Sequence, residues 1–154
     1  YNVTNIVRIC ADSPLIDNFT IDKMIKNFFE NKKYDYLSNT INQTYPVGMN
    51  IEIFTLTALK KAYLNYTKDY ESEHVTPYIF MNPELFNIGQ EHLSENYSNI
   101  RITVDFEEDF IVIKKILEIM YTKNKYFGLS DIIKLYKSNP EIFLINKHLT
   151  QKSF

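Results

Sequence analysis

Apolar residues recur along this chain at two spacings, and the switches between them outline its elements. Asn5-Ile-Val-Arg-Ile-Cys10 is a short β-branched run that reads as a buried strand, ending at Asp12-Ser13-Pro14. From Thr20 onward, Ile21, Met24, Ile25, Phe28 and Phe29 fall at helical spacing. Asp22 comes early in that stretch and Lys32-Lys33 late, as the helix dipole favours. Tyr34-Asp-Tyr-Leu-Ser38 reads as a second strand. Tyr45-Pro-Val-Gly48 is a turn or loop, and Asn50-Ile-Glu-Ile-Phe54 alternates like a strand with one face buried. Thr55 is placed to cap a helix carrying Leu56, Leu59, Ala62 and Tyr63. A further helix is expected from Tyr70 to Phe80, limited or kinked at Pro77. Pro83 breaks the chain before a short strand over Leu85-Phe-Asn-Ile88. Ile100-Arg-Ile-Thr-Val104 is the clearest late strand. A helix follows it from Phe106 to about Tyr121, on Phe110, Ile113, Ile116, Leu117 and Met120. A last helix runs from about Ser130 to Tyr136, before Pro140 and a short tail. Strands alternate with helices, and at least two feed straight into one. That order specifies an α/β sheet with helices packed on its faces.

Composition narrows the class without naming a chemistry. The 154 residues suffice for one compact domain with a real core and are too few to argue for two. With 45% hydrophobic and 23% charged residues, wholesale disorder is excluded. A net charge of −2 supplies no pull toward nucleic acid or an anionic membrane. No apolar run approaches the ~20 residues of a membrane span, and the first residues given show no basic-then-apolar pattern of the signal-peptide kind. Cys10 is the single cysteine, so an internal disulfide is impossible and a reducing, cytoplasmic setting is expected. N-x-[ST] sequons at Asn2, Asn18, Asn42, Asn65 and Asn96 read as a by-product of Asn-rich composition. Because Tyr1 is not an initiator methionine and a strand-like run starts almost at once, the chain is expected to be a fragment.

Two aspartates are the candidate chemistry. Ligands in open α/β sheets sit outside the carboxyl ends of the strands, and Asp12 and Asp105 both follow strand-like runs. Two carboxylates converging there suit a hard divalent cation such as magnesium, which takes one or two protein carboxylates and completes its shell with water and phosphate oxygens. Both also have plainer readings. Asp105 with Glu108 fits a capping box, and Asp12 before Ser-Pro fits a turn. Spacing alone leaves the two readings open. Other chemistries find no support. His74, His92 and His148 form no metal-ligand spacing, and no serine lies in a nucleophile-elbow setting. Gly48, Gly89 and Gly128 are too dispersed to form a phosphate-cradling loop.

Several segments, read in order, resemble the acylneuraminate cytidylyltransferase family, in its spore coat polysaccharide biosynthesis branch. They are Val7-Arg-Ile-Cys-Ala-Asp-Ser-Pro-Leu-Ile-Asp17, Tyr34-Asp-Tyr-Leu-Ser-Asn-Thr40, Tyr45-Pro-Val-Gly-Met-Asn-Ile-Glu-Ile-Phe54, Glu73-His-Val-Thr-Pro-Tyr-Ile79 and Arg101-Ile-Thr-Val-Asp-Phe-Glu-Glu-Asp-Phe110. Asn146-Lys-His148 is similar to the family's C-terminal tail, so the likeness covers essentially the whole chain. The resemblance implies a Rossmann-like nucleotidyltransferase sheet with helices on both faces. It implies an enzyme that couples CTP to a small acidic sugar, releasing pyrophosphate and a CMP-sugar for surface or coat polysaccharide. It also implies Mg2+ held by Asp12 and Asp105, and a homodimer. By the same likeness the Tyr45–Glu52 and Glu73–Tyr78 segments line the sugar side or the dimer contact, with Arg8, Tyr45, Glu52 and His74 as binding candidates. For His74 a packed helix position is the alternative.

The departures from the pattern also matter. Asn50 stands where the family usually has Asp, and Ser72 where Arg commonly precedes Glu-His. The family's N-terminal A-R-x-G-S-x-R-like nucleotide loop is absent, which agrees with the missing glycine loop. Residues 1–154 are therefore expected to be the C-terminal portion of a cytidylyltransferase-like domain, inactive alone and leaving an exposed sheet edge or apolar patch. Two other functions fit the same residues: a metal-dependent, GT-A-like glycosyltransferase, and a non-catalytic dimerisation fragment.

Overall fold

The computed structural model describes residues 2–150, apart from the side chains of Ser72 and Glu73. It is a mixed α/β structure built on a four-stranded open sheet. The strands are β1 (Asn5–Ile9), β2 (Tyr36–Ser38), β3 (Ile51–Thr55) and β4 (Ile88–Gln90), in the order β1-β3-β2-β4. β3 pairs antiparallel with both neighbours, and β2 pairs parallel with β4. The helices are α1 (Asn18–Glu30), α2 (Leu56–Asn65), α3 (Asp69–Glu73), α4 (Pro77–Phe80), α5 (Glu107–Lys123), α6 (Leu129–Ser138) and α7 (Pro140–Leu144). Among the described residues no helix is long and apolar enough to cross a membrane.

Strand alternation distributes the core. Ile51 and Ile53 point to one face with Leu37 and pack beneath Met24 and Phe28 of α1. Phe54 and Tyr36 point to the other and pack with Ala58 and Ala62 of α2 and Ile79 of α4. β3 is thus covered on both faces, not on one as its alternation suggests. A third cluster joins Tyr45, Met49, Ile100 and Ile102 to α5, α6 and α7. Helix starts follow local chemistry. Asp17 Oδ2 accepts from the Thr20 N–H at 3.0 Å at the head of α1, and Thr55 Oγ1 accepts from the Ala58 N–H at 3.0 Å at the head of α2.

Several expectations are corrected. The first strand is not buried but forms one edge of the sheet, with Val7 41% and Ile9 38% exposed. The helix expected over Tyr70–Phe80 is two short helices, broken at Val75. Strand β4 begins at Ile88 rather than spanning Leu85–Ile88. Pro140 opens a further helix where a tail was expected, because proline is well suited to a first helical position. Ile100–Val104 is not a strand and contributes only the isolated bridge Val47–Arg101. Its amides go to separate partners: Ile100 N–H to Tyr97 O (2.9 Å), Ile102 N–H to Val47 O (2.8 Å) and Val104 N–H to Asp12 O (2.9 Å).

Gly48 seats this segment. Its φ is +98°, and a Cβ there would lie 2.6 Å from the Ile102 carbonyl carbon and 2.6 Å from the Thr103 nitrogen. Gly48→Ala is expected to lower the unfolding free energy by roughly 2–3 kcal/mol, seen as a lower urea midpoint. An unchanged midpoint would show that the two loops separate without loss.

Candidate active site

A polar stripe crosses the α2/α4 face of the sheet at the carboxyl ends of β1 and β2. Register sets Arg8 opposite Glu52, and the two side chains form an ion pair. Buried Glu52 also accepts from the Tyr36 hydroxyl at 2.6 Å and the Thr76 hydroxyl at 2.6 Å. Burial, and then the Glu52 charge, push the Tyr36 phenol far above its usual range. Burial disfavours the Arg8 cation, but Glu52 outweighs it and leaves the guanidinium more firmly protonated than usual. With three donors engaged, Glu52 acts on its surroundings mainly through Arg8, whose side chain is 30% exposed.

Thr76 reaches Glu52 from a strained turn. Val75 has φ +72°, and the Thr76 N–H donates to the His74 carbonyl at 2.8 Å, closing a γ-turn on a β-branched residue. His74 is half-buried at the end of α3, where its N–H donates to Tyr70 O at 3.0 Å. The neighbouring side chains of Ser72 and Glu73 lie outside the described residues, so the expected change at Ser72 has no structural counterpart here.

Asp12 and Asp105 lie on touching loops past the carboxyl end of β1. Asp12 sits inside the turn closed by Ser13 N–H on Cys10 O (3.3 Å), and its Oδ1 accepts from the Ser13 hydroxyl at 3.0 Å. Its carbonyl accepts from the Val104 N–H (2.9 Å) and the Thr103 hydroxyl (3.1 Å), holding the chain immediately before Asp105. Asp105 does not follow a strand. It precedes α5 and is 35% exposed, with Oδ2 accepting from Arg101 Nη2 at 2.7 Å. Cys10 lies among these groups. Burial pushes its thiol up, and the Asp12, Glu52 and Asp105 charges add to that while Arg8 opposes them. Asp12 and Asp105 thus sit on two joined loops, and both lie, with Arg8 and Glu52, within electrostatic reach of Cys10.

Sequence reasoning missed what lies behind Asp105. Asp109, not Glu108, is the carboxylate that turns back on the head of α5, accepting from Phe106 N–H (3.2 Å) and Asp105 N–H (3.1 Å). It is fully buried and takes Arg101 Nε (2.9 Å) and Nη2 (2.8 Å) in a two-pronged pair. Asn146 Nδ2 closes the group, donating to Asp109 Oδ1 (2.8 Å) and to the Arg101 carbonyl (3.0 Å). Burial opposes the Asp109 charge, but Arg101, Asn146 and the Asp105 N–H together hold its pKa below the ordinary value. The available signal was an acid at the third residue of a helix, readable only once the helix start is placed after Phe106.

Tyr45 does not join the group. It is buried in the cluster under α5 and α6, and it lines a separate cleft of ≈ 340 Å³ with Asp17, Lys23, Gly128 and Leu129. Burial first, then Glu91 and Asp17, push its phenol up to about 12. Asn50, the other departure, accepts from Gln43 Nε2 at 3.3 Å.

The donor set suits magnesium better than zinc. No three His, Cys, Asp or Glu residues are placed to hold a metal among the described residues. Two partly accessible carboxylates on adjacent loops match what magnesium takes from protein, with the remaining ligands from water and substrate.

Comparison with known proteins bears on this arrangement. Residues 1–150 match the cytidylyltransferase family. An uncharacterized protein of Methanocaldococcus jannaschii is 37% identical over 163 residues, covering 100% of this chain and 62% of that protein. The structure of a cytidylyltransferase from Leptospira borgpetersenii serovar Hardjo-bovis superposes with TM-score 0.89 at 34% identity, over 99% of this chain and 63% of that one. The chain thus spans less than two thirds of the length of either relative.

Proposed function

The chain belongs to the cytidylyltransferase family, and from that membership we propose that the protein carrying it transfers the cytidylyl group of CTP to a small acidic sugar. The observation that supports this most is the placement of Asp12 and Asp105 on loops joined through Asp12 O and Val104 N–H, just past the strand that carries Arg8. In the reaction, a sugar hydroxyl oxygen bonds to the α-phosphorus as the bond to the departing pyrophosphate breaks. The hydroxyl proton leaves to solvent.

Asp12 and Asp105 are the residues that would hold magnesium. When bound, the ion neutralises phosphate charge as it develops. Arg8 is held by its ion pair with Glu52, and its partly exposed guanidinium is suited to a sugar carboxylate. Thr76 and Tyr36 fix Glu52 and so fix Arg8, and His74 immediately precedes the strained turn that carries Thr76. Tyr45 serves by anchoring its loop in the core. A cytoplasmic setting, a homodimer and a role in surface polysaccharide remain part of this proposal.

Incubating the intact protein that carries this chain with CTP, magnesium and a panel of nonulosonic and octulosonic acids, while following pyrophosphate release, tests the reading. Release that depends on one of the sugars and on magnesium is the expected result. A protein that cleaves a nucleotide sugar and ignores CTP is instead a glycosyltransferase. One that neither binds nor turns over CTP would sink the proposal.

A further inference from the structure

We infer that Asp109 and Asn146 are positioning residues that keep the Asp105 carboxylate available to a divalent cation; this rests on the proposed role of Asp105 as a metal ligand. Arg101 touches Asp105 through Nη2 at 2.7 Å, and a guanidinium in that position competes directly with a cation. Asp109 counters the competition in two ways. It engages Arg101 Nε at 2.9 Å and Nη2 at 2.8 Å, which directs the fork at the buried carboxylate, so that Nη2 is shared between Asp109 Oδ2 and Asp105 Oδ2. It also offsets the Arg101 charge, so that Asp105, Arg101 and Asp109 together stay negative. Its hydrogen bond from the Asp105 N–H (3.1 Å) fixes the backbone that carries the ligand.

Asn146 secures Asp109 from the far end of the chain. Its amide bridges Asp109 Oδ1 and the Arg101 carbonyl, so the segment after α7 sets the geometry at the head of α5. Ligand-orienting partners of this kind typically change metal affinity by about 10–100-fold.

The test is Mn2+ binding, followed by paramagnetic resonance of the free ion, for the wild type and for Asp105→Ala, Asp109→Asn and Asn146→Ala, with thermal midpoints alongside. Asp109→Asn is expected to weaken Mn2+ binding about tenfold or more. Asn146→Ala, which alters no charge, is expected to weaken it measurably but less, and it serves if Asp109→Asn fails to fold. Lower midpoints with unchanged Mn2+ affinity would make the two residues purely structural and overturn the inference. A wild type that binds Mn2+ no better than Asp105→Ala would instead remove the metal reading itself, and the inference with it.

Discussion

In the intact protein that carries this chain, Asp105→Ala is expected to cut pyrophosphate release by on the order of 10²–10³-fold while leaving the thermal midpoint within a degree or two. The two halves of that expectation have separate causes. Asp105 is 35% exposed, and its carboxylate is paired with Arg101, which keeps its two-pronged bond to Asp109 when Asp105 is lost. Little folding energy is therefore at stake, as for other half-exposed ion pairs. If the carboxylate holds the ion that stabilises the transferring phosphate, its removal acts on the transition state directly. Asp12→Ala should behave alike, since the fold uses the Asp12 carbonyl, which alanine retains. Activity within tenfold of wild type, or a large fall in the midpoint, would return both residues to their plainer roles as turn and loop polar groups.

Arg101→Met should give the opposite signature, a large loss of stability. It strips a fully buried carboxylate of its cation, and breaking such a pair from one side typically costs about 3–5 kcal/mol. For a domain of this size that corresponds to roughly 10 °C in the midpoint. The pH dependence should change as well. In the wild type the Asp109 pKa lies below its ordinary value near 3.8, so its stabilisation is complete above that value and is lost as pH falls through the lower folded value. Without Arg101, burial dominates and raises the Asp109 pKa. The group then favours folding only when protonated, and stability falls as pH rises through the raised value. Urea midpoints from pH 3 to 7 measure both effects. A variant with wild-type slope and a loss below about 1 kcal/mol would show that the pair is neutral in the fold.

These expectations rest on groups of different legibility. The longer helices could be read because apolar residues at a 3.6-residue period need only local geometry, as in α1, α5 and α6. Thr55 could be read as a cap for the same reason. Helix α7 has five residues, too few to show a period, and only its opening proline marks it. Ile100–Val104 has strand-like residues, but a strand exists only where a neighbour accepts its hydrogen bonds, and here Val47, Tyr97 and Asp12 take them one at a time.

The order of motifs along the chain was enough to carry the cytidylyltransferase family and to make Asp12 and Asp105 the candidates for its metal. Which residues stand behind them was not written in any local pattern. Arg8 meets Glu52 because antiparallel register places them opposite each other, 44 positions apart. Asn146 meets Asp109, 37 positions earlier, because the segment after α7 returns to the head of α5. Local sequence encodes period, caps and turns, whose partners lie within a few residues. Neutralisation of a buried charge depends on distant groups, and those meet only when the core has closed.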